Sequence, residues 1–206
     1  MKSEIREPRQ KRAIEKKNKI ISSGYKLFSE VGYHSTTTAD IAKDAGVSTG
    51  IVYGYFRDKR DILLDILDIY IDDTFRPIFE IFDEASVADA KKLMTDIVEG
   101  AVRTHQQNAK MHEVLHSLQS TDEAVNKKFL ALEDDITLKL AEKLKSAGVE
   151  IENPLEKIHI GMNVVQSFAH EYVFDHHRYL NYDVMKTVVI DFLVNLVQNN
   201  EKAEQL

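Results

Sequence analysis

The sequence predicts an all-α protein with two domains. Apolar residues recur three and four positions apart along most of the chain, and no segment has the alternating pattern of a convincing strand. Charge divides the chain after Arg60, because residues 1–60 hold 13 Lys and Arg against 7 Asp and Glu, whereas the remainder holds 14 against 27. We therefore expect a basic N-terminal module on an acidic body, with the basic end facing a polyanion.

Composition narrows the class of protein. The 206 residues are 43% hydrophobic, which is enough for a sizeable buried core, and the absence of cysteine excludes disulfides and thiolate metal sites. No apolar signal segment lies near the start, and no run approaches the roughly 20 apolar residues that a membrane span needs. We expect a cytoplasmic protein without membrane partners.

The N-terminal residues predict an arm followed by a helix. The first 12 residues are polar, carry five basic side chains including Lys2, and are interrupted by Pro8, so they predict a flexible arm. Apolar residues at helical spacing then predict a first helix that starts near Ile14 and ends before Gly32.

Two short helices joined by a tight turn are predicted next. Thr37 or Thr38 is a suitable N-cap, and Asp40 completes an approximate capping box with Thr37. Gly46 tolerates the left-handed conformation that often ends a helix. Ser48 then caps a second helix that carries Ile51, Val52, Tyr53, Tyr55 and Phe56. This arrangement is typical of a helix-turn-helix motif, whose second helix enters the major groove of DNA.

The remainder of the chain reads as further helices. Asp58 is placed to cap a fourth helix that runs from Lys59 to Ile71 or Phe75 and is bent or ended by Pro77. Later helices are predicted at 87–108, 110–120, 122–146, Pro154–Phe174 and Tyr182–Asn199, which brings the total to nine.

The helix-turn-helix segment contains residue types that suit contact with DNA. Hydroxyls at Thr38, Ser48 and Thr49 lie at helix N-termini, where free backbone N–H groups and the helix dipole also favour phosphate. Gly50 has no side chain, so the backbone there can approach DNA closely.

Two tyrosines and a lysine complete the candidate DNA-binding residues. Tyr53 and Tyr55 are two positions apart and would point to either side of the inserted helix, where a phenol reaches phosphate or packs on a thymine methyl. Lys59 begins the next helix and is placed for a backbone phosphate. The alternative is that the polar residues only cap helices and the tyrosines only pack.

Residues 37–60 resemble the DNA-binding domain of the TetR family of bacterial transcriptional regulators. The family pattern Thr-Thr-x-x-Ile-Ala, Ala-Gly-Val-Ser-x-Gly, Tyr-x-Tyr/His-Phe is present in order, and residues 27–33 match the end of the family's first helix. The resemblance covers residues 14–67. Arg60 departs from it, since the family often has Glu there, and the extra positive charge favours a phosphate contact.

The resemblance implies a function and a domain division. It implies a DNA-binding domain over residues 1–58, a helical ligand-binding and dimerisation domain over 59–206, and no cofactor. The protein would be a repressor that binds a palindromic double-stranded DNA operator as a homodimer and is released by a small-molecule effector. The usual family contacts with DNA fall on Thr38, Ser48, Thr49, Gly50, Tyr53, Tyr55 and Lys59.

A ligand pocket is expected among the middle helices of the second domain, where the resemblance implies it. Its expected lining, chosen by position, is Tyr70, His105, Met111, His112, Phe129 and Phe168. The acidic charge of the second domain indicates a cationic ligand, although surface solubility explains the same charge. Aromatic residues at such spacing are also typical of an ordinary core.

The last two predicted helices carry more apolar residues than one core-facing stripe requires. The resemblance implies that these helices form a four-helix bundle with those of a second subunit. The interface residues chosen on that basis are Val164, Phe168, Val189, Phe192 and Leu196. The alternative is that both helices are internal.

A short zinc-protease signature indicates a different function. His112-Glu113-x-x-His116 places two histidines on one helix face as zinc ligands, with the glutamate as general base. Glu133 or Asp134 could supply a third ligand, but no predicted strand is available to bind a peptide substrate. We predict no enzyme activity and no metal. A helical zinc-dependent hydrolase and a DNA-binding activator without a small ligand stay open as alternatives.

Overall fold

The all-α prediction is confirmed. The computed structural model describes residues 6–84 and 89–197, and within those ranges it contains nine helices and no strand. The helices are α1 Arg6–Glu30, α2 Thr38–Asp44, α3 Thr49–Tyr53, α4 Lys59–Glu84, α5 Ala90–Gln107, α6 Ala109–Gln119, α7 Glu123–Ser146, α8 Pro154–Phe174 and α9 Tyr182–Val197.

The N-terminal arm is shorter than predicted. Helix α1 begins at Arg6, so about half of the predicted arm is helical. Pro8 is the third residue of α1, where a backbone N–H has no partner within the helix, and its loss there costs little. Residues 1–5, including Lys2, lie outside the described residues.

Local capping fixes the ends of α2 and α3 as predicted. Thr37 is the N-cap of α2 and forms the reciprocal capping box with Asp40, which lowers the pKa of the Asp40 carboxyl through hydrogen bonds from Thr37. At the other end Gly46 has a φ of +67°. The Gly46 N–H donates to the Lys43 carbonyl and the next N–H donates to the Ala42 carbonyl, which is a Schellman motif.

Helix α3 is shorter than the sequence indicated. It ends at Tyr53 with Gly54 as the C-cap, so Tyr55 lies in the following turn and not on the helix. Glycine is a poor helix former, and the N–H of Tyr55 closes a tight turn by donating to the Val52 carbonyl at 3.0 Å. The buried Phe56 anchors the chain directly after this turn.

Helix α4 begins as predicted but continues further. The carboxylate of Asp58 caps it by accepting from the N–H groups of Arg60 and Asp61 at 2.8 and 3.0 Å. The helix continues past Pro77 to Glu84. A proline removes one helical hydrogen bond, and packing of Ile81 on an apolar core beyond it offsets that cost.

The later helices agree with the predicted segments to within a few residues. The predicted start of α5 at residue 87 and the predicted end of α9 at Asn199 lie outside the described residues. Helices α6, α7 and α8 begin within one residue of their predicted positions. Gly148, with a φ of +73°, follows α7 in a second Schellman motif.

Contacts group the chain into two compact units. The first unit contains the chain up to Asp72 together with Lys110–Asn126, and the second contains Asp73–Ala109 together with the chain from Lys127. The predicted boundary after residue 58 therefore falls inside the first unit, and independent domains at 1–58 and 59–206 stay a prediction.

The core of the first unit holds α1 to α4 together. Residues Ile20, Phe28, Ile41, Val52 and Ile62 are fully buried. A Cβ at Gly24 would lie 2.7 Å from the side chain of Ile62, so this glycine permits α1 and α4 to approach closely. The first half of α4 is thus packed as part of the helix-turn-helix unit.

The second unit is built on α5, α8 and α9, which pack pairwise. Val98, Phe168 and Ala169 are among the buried residues of its core. Gly161 lies at the approach of α8 to α9, since a Cβ there would be 3.3 Å from Leu193. No helix among the described residues is both long enough and apolar enough to cross a bilayer.

Candidate nucleic-acid interface

The predicted DNA-binding residues are all at least partly accessible in the first unit. None of the seven is buried, and Ser48, Gly50 and Tyr53 are exposed. Ser48 is the N-cap of α3 and accepts from the Ile51 N–H at 3.4 Å. The N-terminus of α3 is therefore held by a local cap while its outer face stays open to a partner.

Gly50 has no structural requirement within the chain. Its φ is not in the left-handed region, and a Cβ at this position would meet only the Ser48 hydroxyl, at 4.0 Å. The fold would accept a side chain here. A glycine that neither the backbone conformation nor packing requires, on an exposed helix face, suits the close approach of an external surface.

The two tyrosines differ in their positions. Tyr53 is the last residue of α3 and its side chain is 57% exposed, whereas Tyr55 is half-buried in the turn. The predicted splay of both phenols from one helix is therefore wrong, because the helix ends between them. Tyr53 is the better placed of the two to reach a base or a phosphate.

Lys59 is more constrained than the sequence suggested. Its ammonium donates to the carbonyls of Tyr33, His34 and Thr36 at 2.7, 3.2 and 2.9 Å, and it lies 4.6 Å from the centre of the Tyr33 ring. These contacts use all three N–H donors and fix the loop between α1 and α2. A phosphate contact by Lys59 stays a prediction, and it requires one of these carbonyls to be released.

Arg60 is paired within the chain. Its guanidinium makes a bidentate contact with Asp122, with distances of 2.5 and 2.7 Å, and one Asp122 oxygen also accepts the Ala124 N–H at the start of α7. The expectation that Arg60 contributes a free charge for phosphate is thus not what the structure shows. The sequence gives no direct signal for this pair, because 62 positions separate the two residues.

The Arg60–Asp122 pair predicts a dependence of stability on acid. The guanidinium lowers the pKa of Asp122 from 3.8 to about 2. The stabilising effect of the Arg60–Asp122 pair is therefore complete above about pH 4 and is lost as the pH falls towards 2. The quantity to compare is the fall in unfolding free energy between about pH 5 and about pH 2.5. We expect this fall to be smaller in Arg60→Ala than in the unmodified chain, by no more than about 1 kcal/mol.

Chemical denaturation at both pH values checks this expectation. Arg103→Ala is the matched control, because Arg103 forms an exposed pair with Glu99 at the longer distance of 4.0 Å. An acid dependence that is the same in Arg60→Ala and in the unmodified chain would contradict the assigned role of the pair.

A family model described as bacterial regulatory proteins, tetR family, matches residues 20–66. This range includes all of α2 and α3 and the start of α4. The chain carries the N-terminal domain of the tetR family. The predicted resemblance is confirmed.

Curated relatives share this domain. The HTH-type transcriptional regulator HbdR of Aromatoleum sp. (strain CIB) is 47% identical over 74 residues, which cover 34% of this chain and 31% of that protein. The chain spans less than a third of the length of the curated relatives it matches first. The sequence similarity therefore concerns the tetR domain and not the whole protein.

Solved structures share the fold over most of the chain. The fatty acid degradation regulator FadR of Bacillus halodurans has a TM-score of 0.67 at 20% identity, covering 87% of this chain and 94% of that one. A Saccharomonospora viridis protein in complex with choline has a TM-score of 0.69 at 19% identity, covering 89% and 98%. At these identities the likeness establishes the fold of a TetR-type regulator.

The six residues predicted to line a ligand pocket are distributed over both units. Tyr70, Met111 and His112 belong to the first unit, where the Tyr70 hydroxyl and His112 Nδ1 share a hydrogen bond of 2.8 Å. The second unit contains the other three, which are His105, Phe129 and Phe168, all buried. Burial lowers the pKa of His105, and its Nδ1–H donates to the Ala101 carbonyl at 2.8 Å. Their role in binding a ligand stays a prediction.

The zinc-protease signature lies on α6. His112 is buried, with its Nδ1 engaged by Tyr70, whereas Glu113 and His116 are exposed. The rings of His112 and His116 have centroids 4.0 Å apart. Over residues 6–84 and 89–197, no cluster of three or more His, Cys, Asp or Glu side chains is arranged to hold a metal ion. The structure thus offers the signature no third ligand within these ranges.

The predicted dimer interface needs revision. Phe168 and Val189 are buried in the core of the second unit, so each offers little area to a second subunit. Val164 and Leu196 are half-buried, and Phe192 is 39% exposed. We call four exposed apolar residues of α8 and α9, together with the half-buried Val164, the α8/α9 face: Ile160, Val184, Val188 and Phe192. Sequence periodicity marked these positions as apolar but could not distinguish the covered side of each helix from the open one.

Proposed function

We propose that the protein is a transcriptional regulator that binds DNA through α3 as a homodimer in the cytoplasm. The observation that carries this proposal is the exposed face of α3, where Tyr53 and an unconstrained Gly50 lie within the segment that matches the tetR family. Paired recognition helices would enter successive major grooves of a palindromic operator, about 34 Å apart.

We further propose that the regulator is a repressor released by a small molecule. Helix α4 starts in the helix-turn-helix unit and ends in the second unit, so a change at either end acts on one continuous element. A ligand that binds one conformer better than the other shifts the population and lowers affinity for DNA. The choline complex of one structural relative and the name of another, a fatty acid degradation regulator, support response to a small molecule.

Transcription with purified components tests the proposed direction of regulation. An operator selected by the protein is placed across a promoter, and transcripts are counted with and without the protein. A repressor lowers the yield, and Tyr53→Ala protein restores it. A rise in transcripts with the unmodified protein would favour the alternative of an activator.

The zinc-hydrolase alternative predicts a different response to substitution of Glu113. A hydrolase needs this carboxylate as general base, so Glu113→Gln would abolish peptide cleavage and retain zinc. We expect instead that the unmodified protein cleaves no peptide, and that Glu113→Gln changes affinity for the operator by less than about 0.5 kcal/mol, as surface substitutions usually do. Metal analysis and a peptide assay test this expectation. Stoichiometric zinc together with Glu113-dependent cleavage would contradict the proposal that the protein acts only as a transcriptional regulator.

A further inference from the structure

The second unit contains an apolar pocket that shares only Leu196 with the predicted dimer interface and no residue with the α8/α9 face. Residues of α5, α7, α8 and α9 line it, together with Ile151 in the segment before α8. Phe168, His105 and Phe129 are not among the lining residues, so this pocket is not the one that the sequence predicts. Its volume of about 90 Å³ suits a small ligand, because pockets for drug-sized molecules are roughly 300–1,000 Å³.

The wall of this pocket is aliphatic. Every lining residue except Lys157 and Gln166 is apolar. Each of the four helices contributes, for example Met94 from α5, Leu140 from α7, Met162 from α8 and Leu193 from α9. Several of the apolar residues, including Ile151 and Met162, are only half-buried. An apolar ligand would cover this surface, and the gain in free energy would scale with the area removed from water.

Among the described residues that line the pocket, only one is charged, and its charge is positive. Lys157 lies near the start of α8 and is half-buried. Across the described residues no carboxylate lines the pocket and no ion pair is formed by the Lys157 ammonium. Gln166 supplies an amide that can donate a second hydrogen bond.

The same lining disfavours a cationic ligand. Recognition of a quaternary ammonium normally uses the faces of aromatic rings, often with a carboxylate. The pocket has neither among its lining residues, and Lys157 would repel a cation. The cationic ligand suggested by the acidic charge of the second domain therefore does not fit this pocket.

We propose that this pocket binds a short aliphatic carboxylate, with the alkyl chain against the aliphatic wall and the carboxylate on Lys157 and Gln166. The volume of about 90 Å³ fits about three to five carbons of such a chain, given that a cavity of about 150 Å³ in another protein holds the six carbons of benzene. That such an acid acts as the effector rests on the function proposed above, whereas binding itself does not.

Isothermal titration calorimetry on the full-length protein tests the binding. Butyrate, hexanoate and octanoate are the probes, and affinity is expected to rise about fourfold per methylene until the cavity is full. Lys157→Met is expected to weaken hexanoate about tenfold while binding of 1-hexanol changes less than twofold, because the alcohol makes no ion pair. Lys145→Met is the matched control, since Lys145 is exposed on α7 and does not line the pocket.

A second variant tests whether the ligand occupies the cavity itself. Ile158→Trp fills the cavity from α8 and is expected to weaken hexanoate and 1-hexanol alike. Hexanoate that binds the unmodified protein and Lys157→Met equally, hexyltrimethylammonium that binds as well as hexanoate, or no heat from any carboxylate would each overturn the proposal.

Measurement of operator release distinguishes a failure of the proposed binding site from a failure of the proposed function. If hexanoate binds with the expected dependence on Lys157 but leaves operator affinity unchanged, the binding site is supported and its role as the effector site is wrong. If hexanoate releases the operator equally from unmodified and Lys157→Met protein, the proposed regulator is supported and this pocket is not the effector site.

Discussion

Replacement of Val188 by glutamate is expected to convert the protein from a dimer to a monomer. Val188 is 62% exposed at the centre of the α8/α9 face, between Val184 and Phe192 on one stripe of α9. In a two-fold interface the substitution introduces the charge twice, and each buried unpaired charge costs several kcal/mol. We expect the dimer dissociation constant to rise by more than about a hundredfold, and operator binding to be lost with it.

Analytical ultracentrifugation measures this change. Leu138→Glu is the matched control, because Leu138 is 58% exposed on α7 of the same unit but is not part of the α8/α9 face. The control is expected to stay dimeric. If Val188→Glu sediments as an intact dimer, the α8/α9 face is not the interface.

Replacement of Tyr53 by alanine is expected to weaken operator binding by about 1 to 3 kcal/mol without changing the fold. The side chain is exposed at the end of α3, and the helix itself is held by its Ser48 cap and the buried Val52. Removal of the phenol deletes a contact with DNA but no core packing. Fluorescence anisotropy with a labelled operator measures the loss.

Two variants identify what Tyr53 contributes. Tyr53→Phe removes only the hydroxyl, so it weakens binding if the tyrosine reaches a phosphate and is nearly neutral if the ring packs on a thymine methyl. Tyr179→Ala is the control, since this tyrosine is 81% exposed between α8 and α9. Equal affinity of Tyr53→Ala and the control would exclude Tyr53 from the DNA contact.

Local signals account for most of what the sequence predicted correctly. The capping box at Thr37, the N-caps at Ser48 and Asp58, and the left-handed Gly46 depend on residues within a few positions of one another. Such interactions are determined by short-range chemistry and can be read from one sequence. The predicted length of the arm and the predicted end of α4 are wrong, because the cost of a proline depends on its position in the helix and on distant packing.

Long-range pairs were not predictable in the same way. The carbonyls that hold Lys59 precede it by 23 to 26 positions, and Asp122 follows Arg60 by 62. The aliphatic pocket combines residues from four helices, none of which is unusual in its own segment. Periodicity gives the apolar face of each helix, but the covered and open parts of that face depend on how helices pack.

The most direct test of the account is selection of DNA from a random library by the full-length protein, followed by mass measurement of the complex. We predict an enriched inverted repeat whose half-sites lie about one helical turn, 34 Å, apart and which binds an even number of subunits. Tyr53→Ala protein should fail to enrich it under the same conditions. Enrichment of no sequence, or of a single half-site bound by one subunit, would contradict a dimeric regulator that reads DNA through α3.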